Sequence, residues 1–185
     1  MNEPLESATL SFQAVTGPHL DAAYNLARWL TRNPQDADDV MQEAHLRAYR
    51  FFGTFRGGDG RAWLLTIVRN TFYSWYAQGR ARSAVEVCQD VDALDPGEQA
   101  DVVDERLHGS DPARLIERAA DQALVTGALE ALPAEYREIL VLRELEGLSY
   151  REIADIAGLA MGTVMSRLSR ARLALRRRIE QVVPR

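Results

Sequence analysis

Apolar residues recur along this chain at helical spacing, and no stretch shows the strict alternation of a half-buried strand. Leu20, Ala23, Ala27 and Leu30 follow one another at intervals of three and four, with Pro18 placed for a first helical turn. Asn33 and Pro34 then read as an N-cap and a first helical residue, and Asp36, Asp38 and Asp39 load the N-terminal end with the charge its dipole favours. On this second helix Ala37, Val40, Met41, Ala44 and Ala48 form an inward stripe, which leaves Asp39, Gln42, Glu43 and Leu46 outside. Four glycines between Gly53 and Gly60 predict a mobile loop around Phe55, Arg56 and Asp59. A long helix over 61–82 follows, with Leu64, Ile67, Val68, Thr71, Phe72 and Trp75 on one broad face.

Periodicity fades after this helix. Residues 86–111 hold nine acids and one Arg together with Pro96, Gly97 and Gly109, the composition of a flexible acidic linker. It returns with Leu115, Ala119, Leu124, Ala128 and Leu132, one or two helices ending near Pro133, and then with a helix over 136–145 stopped by Gly147. Ser149 and Glu152 form a capping-box pattern that opens a short helix ending at Gly158. A last helix runs over 162–182, with Val164, Leu168, Ala171 and Leu175 making a narrow apolar seam. The expected fold is all-α: two small helical domains joined by a flexible acidic linker.

Composition narrows the function. With 46% apolar and 26% charged residues the 185-residue chain is globular, and no apolar run approaches the length of a membrane span. The N-terminus, with Glu3 and Glu6, lacks the basic start of a signal peptide, so a cytoplasmic protein is expected. Cys88 is a lone cysteine, and His19, His45 and His108 are dispersed, so neither a metal nor a cofactor is expected. No phosphate loop appears either, and an enzyme is the weakest reading.

The net charge of −5 conceals unlike parts. Residues 84–127 carry −8, whereas residues 163–185 carry +6, a local basic surface despite the acidic total. All 22 basic residues are Arg, a bias that codon usage explains as well as chemistry does.

Two constellations carry chemistry. Residues 149–178 have helix-turn-helix logic: a capped first helix, glycine in the turn, and a second helix whose polar arc lies away from the seam. Thr163, Ser166, Arg167 and Arg170 occupy that arc, suited to a major groove, and Arg172, Arg176, Arg177 and Arg178 extend the charge toward phosphates. The alternative is an exposed amphipathic helix with solvated arginines. The second constellation joins the Phe55 loop to Trp63, Arg69, Asn70, Phe72, Tyr73, Trp75 and Tyr76, aromatics interleaved with Arg as a single-stranded nucleic-acid site requires. Phe72, Trp75 and Tyr76 share a face and serve equally well as core; Asn70 and Tyr73 are the better ligand contacts.

In order and spacing, these pieces resemble the extracytoplasmic-function (group IV) sigma factors of bacterial RNA polymerase. The likeness lies in Asp36–Ala44 (DADDVMQEA), Ala62–Asn70 (AWLLTIVRN), Leu132–Glu138 (LPAEYRE), Glu146–Ala154 (EGLSYREIA) and Gly162–Arg172 (GTVMSRLSRAR). It implies sigma region 2 over 10–83, a linker over 84–119 and sigma region 4 over 120–183, with no catalytic residues. By the same resemblance Asp39, Gln42, Glu43 and Leu46 would dock on the clamp of core RNA polymerase, and the helices around 136–145 would meet its flap. Phe55, Arg56, Trp63, Arg69, Asn70 and Tyr73 would hold the minus-10 strand of promoter DNA, the loop over 55–61 and Asn70 taking an extruded base. Thr163, Ser166, Arg167, Arg170 and Arg172 would read the minus-35 element. Relatives are commonly held by an anti-sigma factor, often membrane-bound. The acidic linker reads first as solvated chain, the alternative being that its charge of −8 lies in a basic polymerase channel. Ser74, Ala77 and Met165 depart from the family pattern, Met165 standing where a Lys is common. The rival reading is a helix-turn-helix transcriptional regulator that is not a sigma subunit; it leaves residues 53–70 without a task.

Overall fold

The computed structural model of the protein describes residues 12–83 and 122–182. The acidic stretch expected as a linker lies outside them, as do Leu115 and Ala119. A short helical turn over 12–16 and a 3-10 turn, Gly17–His19, lead into α1, Leu20–Thr31. Arg32 closes α1 in the left-handed region (φ 63), and its N–H bonds back to the Arg28 carbonyl. Asn33 caps the next helix as expected: its side chain accepts from the Gln35 N–H at 2.9 Å, with Pro34 first in α2, Pro34–Phe51. Ala37, Val40, Ala44 and Ala48 are buried, and their small size lets α1 and α2 approach closely.

The glycine loop opens with a 3-10 turn, Phe52–Thr54, and closes on Asp59. The Asp59 carboxylate accepts from the Arg61 and Ala62 N–H groups at 2.8 and 3.2 Å, capping α3, Gly60–Ser83. Gly60 has no room for a side chain: a Cβ there would lie 2.8 Å from the Val15 carbonyl oxygen. On α3, Leu64, Val68, Thr71 and Phe72 are buried as the periodicity requires. Two positions differ from it. Leu65 is also buried, and Trp75 is partly exposed. The reason is that α3 packs against helices on more than one side, so its buried arc is wider than one stripe and ends before Trp75.

A second group begins with α4, residues 122–130, and continues after Pro133 into α5, Ala134–Leu140. The helix expected over 136–145 does not stay regular: Val141–Leu145 widens into a π turn, with the Glu146 N–H bonding the Val141 carbonyl at 3.0 Å. Helix α6, Tyr150–Ala157, carries the full capping box, Ser149 accepting from the Glu152 N–H and Glu152 from the Ser149 N–H. Gly158 ends it at φ 65, a conformation that costs any side chain bearing a Cβ. The last helix, α7, is Met161–Val182; Val164, Leu168 and Ala171 face the core with Leu175 half-buried, and Ala174 joins them.

Among the described residues the two helical groups are in contact, and their buried residues form one cluster from Phe12 to Ala174. Helices α1 and α3 of the first group face α5 and α6 of the second. Arg137 is a polar pin in this seam. Buried, it donates to the carbonyls of Glu130, Leu132 and, across the seam, Leu30, at 2.7, 3.2 and 3.3 Å. It thus satisfies backbone acceptors at the ends of α1 and α4. Desolvation pushes its guanidinium down to about 10.

Candidate nucleic-acid interface

Helix α7 separates its two faces as the periodicity demands. Opposite the buried seam, Thr163, Ser166 and Arg170 are exposed, with Met165 open beside them. The Ser166 hydroxyl donates to the Thr163 carbonyl at 3.1 Å, leaving its oxygen lone pairs free. Arg167 is half-buried and leans toward Glu135 at 3.4 Å. Arg172 is held by Glu144 through two donors, at 2.7 and 3.1 Å, which raises its pKa further. Arg177 and Arg178 are exposed, and Arg176 pairs with Glu180 at 2.8 Å. The surface therefore offers a shallow polar arc with a positive extension, the shape and sign a major groove accepts.

The residues expected around a single strand divide into two sets. Phe55 and Trp63 pack together with Phe52, centroids 5.1 to 6.2 Å apart, and steady the loop from which Arg56 projects into solvent. Arg69, Asn70 and Tyr73 form the other set on α3. The Arg69 guanidinium lies 4.7 Å from the centre of the Tyr73 ring and donates to Asn70 Oδ1 at 3.2 Å. Both Arg69 and Tyr73 also bond the buried carboxylate of Glu138 on α5, Tyr73 at 2.8 Å. Burial and this carboxylate raise the Tyr73 phenol, keeping it a donor, while burial raises Glu138 against the pull of Arg69. Phe72 is core, stacked on Tyr76 at 5.5 Å.

On the outer face of α2, Asp39, Gln42, Glu43 and Leu46 are all exposed, and Arg47 donates to Glu43 at 2.7 Å. Leu46 is 51% exposed, with the exposed Tyr49 one turn further along and Phe51 exposed on another side of the helix. The sequence reading missed Tyr49 and Phe51, although both fall in the same helix. It also gave no task to Glu138 or Glu146. An acid directly before the apolar run Ile139–Leu142 was the available signal for Glu138.

Two family models match the chain in that same order: Sigma-70 region 2 over residues 17–82 and Sigma-70 region 4 over residues 122–175. The ECF RNA polymerase sigma factor SigE of Mycolicibacterium smegmatis is 34% identical over 175 residues, 92% of this chain but only 62% of that protein. The ECF RNA polymerase sigma-E factor of Escherichia coli is 37% identical over 152 residues, 81% of this chain and 77% of that protein. The chain belongs to the extracytoplasmic-function RNA polymerase sigma factors, initiation factors and not enzymes.

Among solved structures, the sigma factor RpoE of Bartonella quintana, in complex with the anti-sigma factor NepR, is 28% identical with a TM-score of 0.68, over 94% of this chain and 99% of that one. CnrH, in complex with the cytosolic domain of CnrY, shares the fold at 24% identity and a TM-score of 0.62, over 97% and 96% of the two chains. The plain expectation of a cytoplasmic protein therefore does not stand as a property of this chain. The structure supports a narrower statement: among the described residues no helix is long and apolar enough to cross a membrane.

Proposed function

We propose that the chain directs promoter-specific initiation as a detachable subunit of core RNA polymerase, touching promoter DNA at two places. Residues 120–183 act as the minus-35 module, with Thr163, Ser166, Arg167 and Arg170 reading base edges and Arg172 and Arg176 to Arg178 meeting phosphates. Residues 10–83 act as the minus-10 module. In it Phe55, Arg56, Trp63, Arg69, Asn70 and Tyr73 receive the opened strand, and Asp39, Gln42, Glu43 and Leu46 dock on the polymerase clamp. The observation that carries this reading is one helix that sets exposed Thr163, Ser166 and Arg170 opposite the buried Val164, Leu168 and Ala171. An anti-sigma factor is the expected antagonist, in line with the NepR complex of the Bartonella protein.

Run-off transcription on a promoter library tests it. Core polymerase plus this protein gives promoter-specific transcripts with no other sigma present. A helix-turn-helix regulator of the rival kind gives none until a second sigma is added.

A further inference from the structure

The seam between the helical groups is fastened by two acids of the second group, and both grip arginines of the first. Glu138, 0% exposed, accepts from Arg69 and Tyr73 of α3. Glu146 accepts from Arg61, at the start of α3, through its carboxylate at 2.6 Å and its carbonyl at 2.9 Å. Asn25 of α1 donates to the other Glu146 oxygen at 2.6 Å. Arg61, Arg69 and Tyr73 are thus drawn from the segment assigned to the minus-10 strand, and each is occupied by a carboxylate from the minus-35 module.

The chemistry of the two partners is the same. A guanidinium and a phenol hydroxyl donate to a carboxylate, a phosphate or a base carbonyl alike, so acid and strand compete for one set of donors. A buried carboxylate stripped of its donors is costly, and Glu138 has no other side-chain bonds among the described residues. Releasing Arg69 and Tyr73 leaves the carboxylate only the nearby charge of Arg167 on α7, and favours separation of α5 from α3.

We propose that Glu138 is an autoinhibitory latch: its carboxylate stands in for nucleic acid on Arg69 and Tyr73 and keeps the isolated chain closed. The occlusion part rests on the minus-10 assignment of those two residues; the closure part does not.

The test uses the full chain with Cys88→Ser and spin labels on Asp38→Cys and Ser169→Cys, one exposed site in each helical group. Pulsed electron resonance is expected to give one short distance in this parent and a longer population in Glu138→Lys, which sets a second cation against Arg69. The double change Arg69→Glu with Glu138→Arg restores the pair and the short distance. Retained helical circular dichroism separates opening from unfolding, and Glu138→Gln, which keeps the shape without the charge, supplies a milder opening should the Lys variant not fold. Labelled single-stranded DNA of random sequence reads occlusion. Its affinity for the isolated chain is expected to rise about tenfold on opening, if roughly one molecule in ten is open beforehand. An unchanged distance in both Glu138 variants overturns the latch, and a longer distance with unchanged DNA affinity overturns the occlusion. Open-complex formation by reconstituted polymerase carrying Arg69→Ala reads the minus-10 assignment separately, so its failure is not mistaken for failure of the latch.

Discussion

Arg61 and Glu146 stand 85 positions apart in sequence and meet at 2.6 Å, the guanidinium also reaching the Glu146 backbone carbonyl at 2.9 Å. Glu146 follows the π turn and Arg61 opens α3, so one contact ties the entry of the longest helix in the first group to the irregular corner of the second. Beside it a shallow cleft opens to solvent, lined by Asp21, Ala22, Tyr24, Asn25, Arg28 and Glu146.

Removing one partner of this pair tests whether the helical groups are joined in solution. The Glu146 side chain is only 8% exposed, and Arg61→Ala leaves it with Asn25 alone. An underbonded, nearly buried acceptor costs about 1–3 kcal/mol. Urea unfolding of Arg61→Ala should show a loss of that size, and Glu146→Gln, which relieves the stranded charge, a smaller one. Equal stability of Arg61→Ala and the parent would mean that the contact is not made in solution.

Leu46 provides the opposite case, a side chain whose loss should not disturb the fold. It is 51% exposed on α2, far from the seam formed by Ala37, Val40, Ala44 and Ala48. Leu46→Asp should change unfolding free energy by no more than about 0.5 kcal/mol. If this face docks on polymerase, the same change removes an apolar anchor and weakens core binding by about 2 kcal/mol or more. Titration of labelled protein with core polymerase reads the difference; Tyr49→Ala is a poorer probe, because the Tyr49 ring packs edge-on at 5.5 Å against the buried Phe12 and its loss should also cost stability.

What could be read from the sequence follows the range of the interactions. Asn33 with Pro34, Ser149 with Glu152, and Gly158 act within a few residues, so their chemistry is written locally and the structure has it where expected. The α7 seam was legible for the same reason. Leu65 and Ala174 were not, because what buries them is a second neighbour that no single helical period reveals. Glu138 and Arg69 lie 69 positions apart, and Arg137 reaches a carbonyl 107 positions away. Nothing in either neighbourhood names the other. In sequence Arg69 and Tyr73 read as polar groups awaiting a ligand, yet in this structure their partner is Glu138 of the same chain.

The capping box makes a separable pH prediction. Glu152 accepts the Ser149 N–H, and bonding to Ser149 holds its carboxyl below the ordinary range. A depressed pKa means that the folded chain binds the proton less readily than the unfolded chain does. The contribution is therefore present at neutral pH and is lost as pH falls through the ordinary carboxylate range and then through the lower folded pKa. Glu152→Gln should flatten that part of the acid dependence of unfolding, a small effect because the carboxylate is largely solvated. Ser149→Ala should cost about 1 kcal/mol at neutral pH by loss of the N-cap itself.

Along α7 the arginines are not equivalent, and their pairing ranks them. Arg170 is exposed on the polar arc, whereas Arg172 is already engaged by Glu144 at 2.7 and 3.1 Å. A side chain that reads a base contributes about 1–3 kcal/mol of discrimination, while one that meets phosphate changes affinity evenly across sequences and the salt slope by about one unit. Arg170→Ala in reconstituted polymerase should therefore flatten the preference among minus-35 variants. Arg177→Ala and Arg178→Ala should lower the salt slope and leave the preference intact. Arg172→Ala should have the smallest effect on DNA of these changes, because reaching a phosphate requires Arg172 first to leave Glu144. Glu144→Ala, which frees that guanidinium, should steepen the salt dependence. If Arg172→Ala instead impairs minus-35 preference as strongly as Arg170→Ala, α7 engages DNA along a different face, and the arc from Thr163 to Arg170 is not the reading surface.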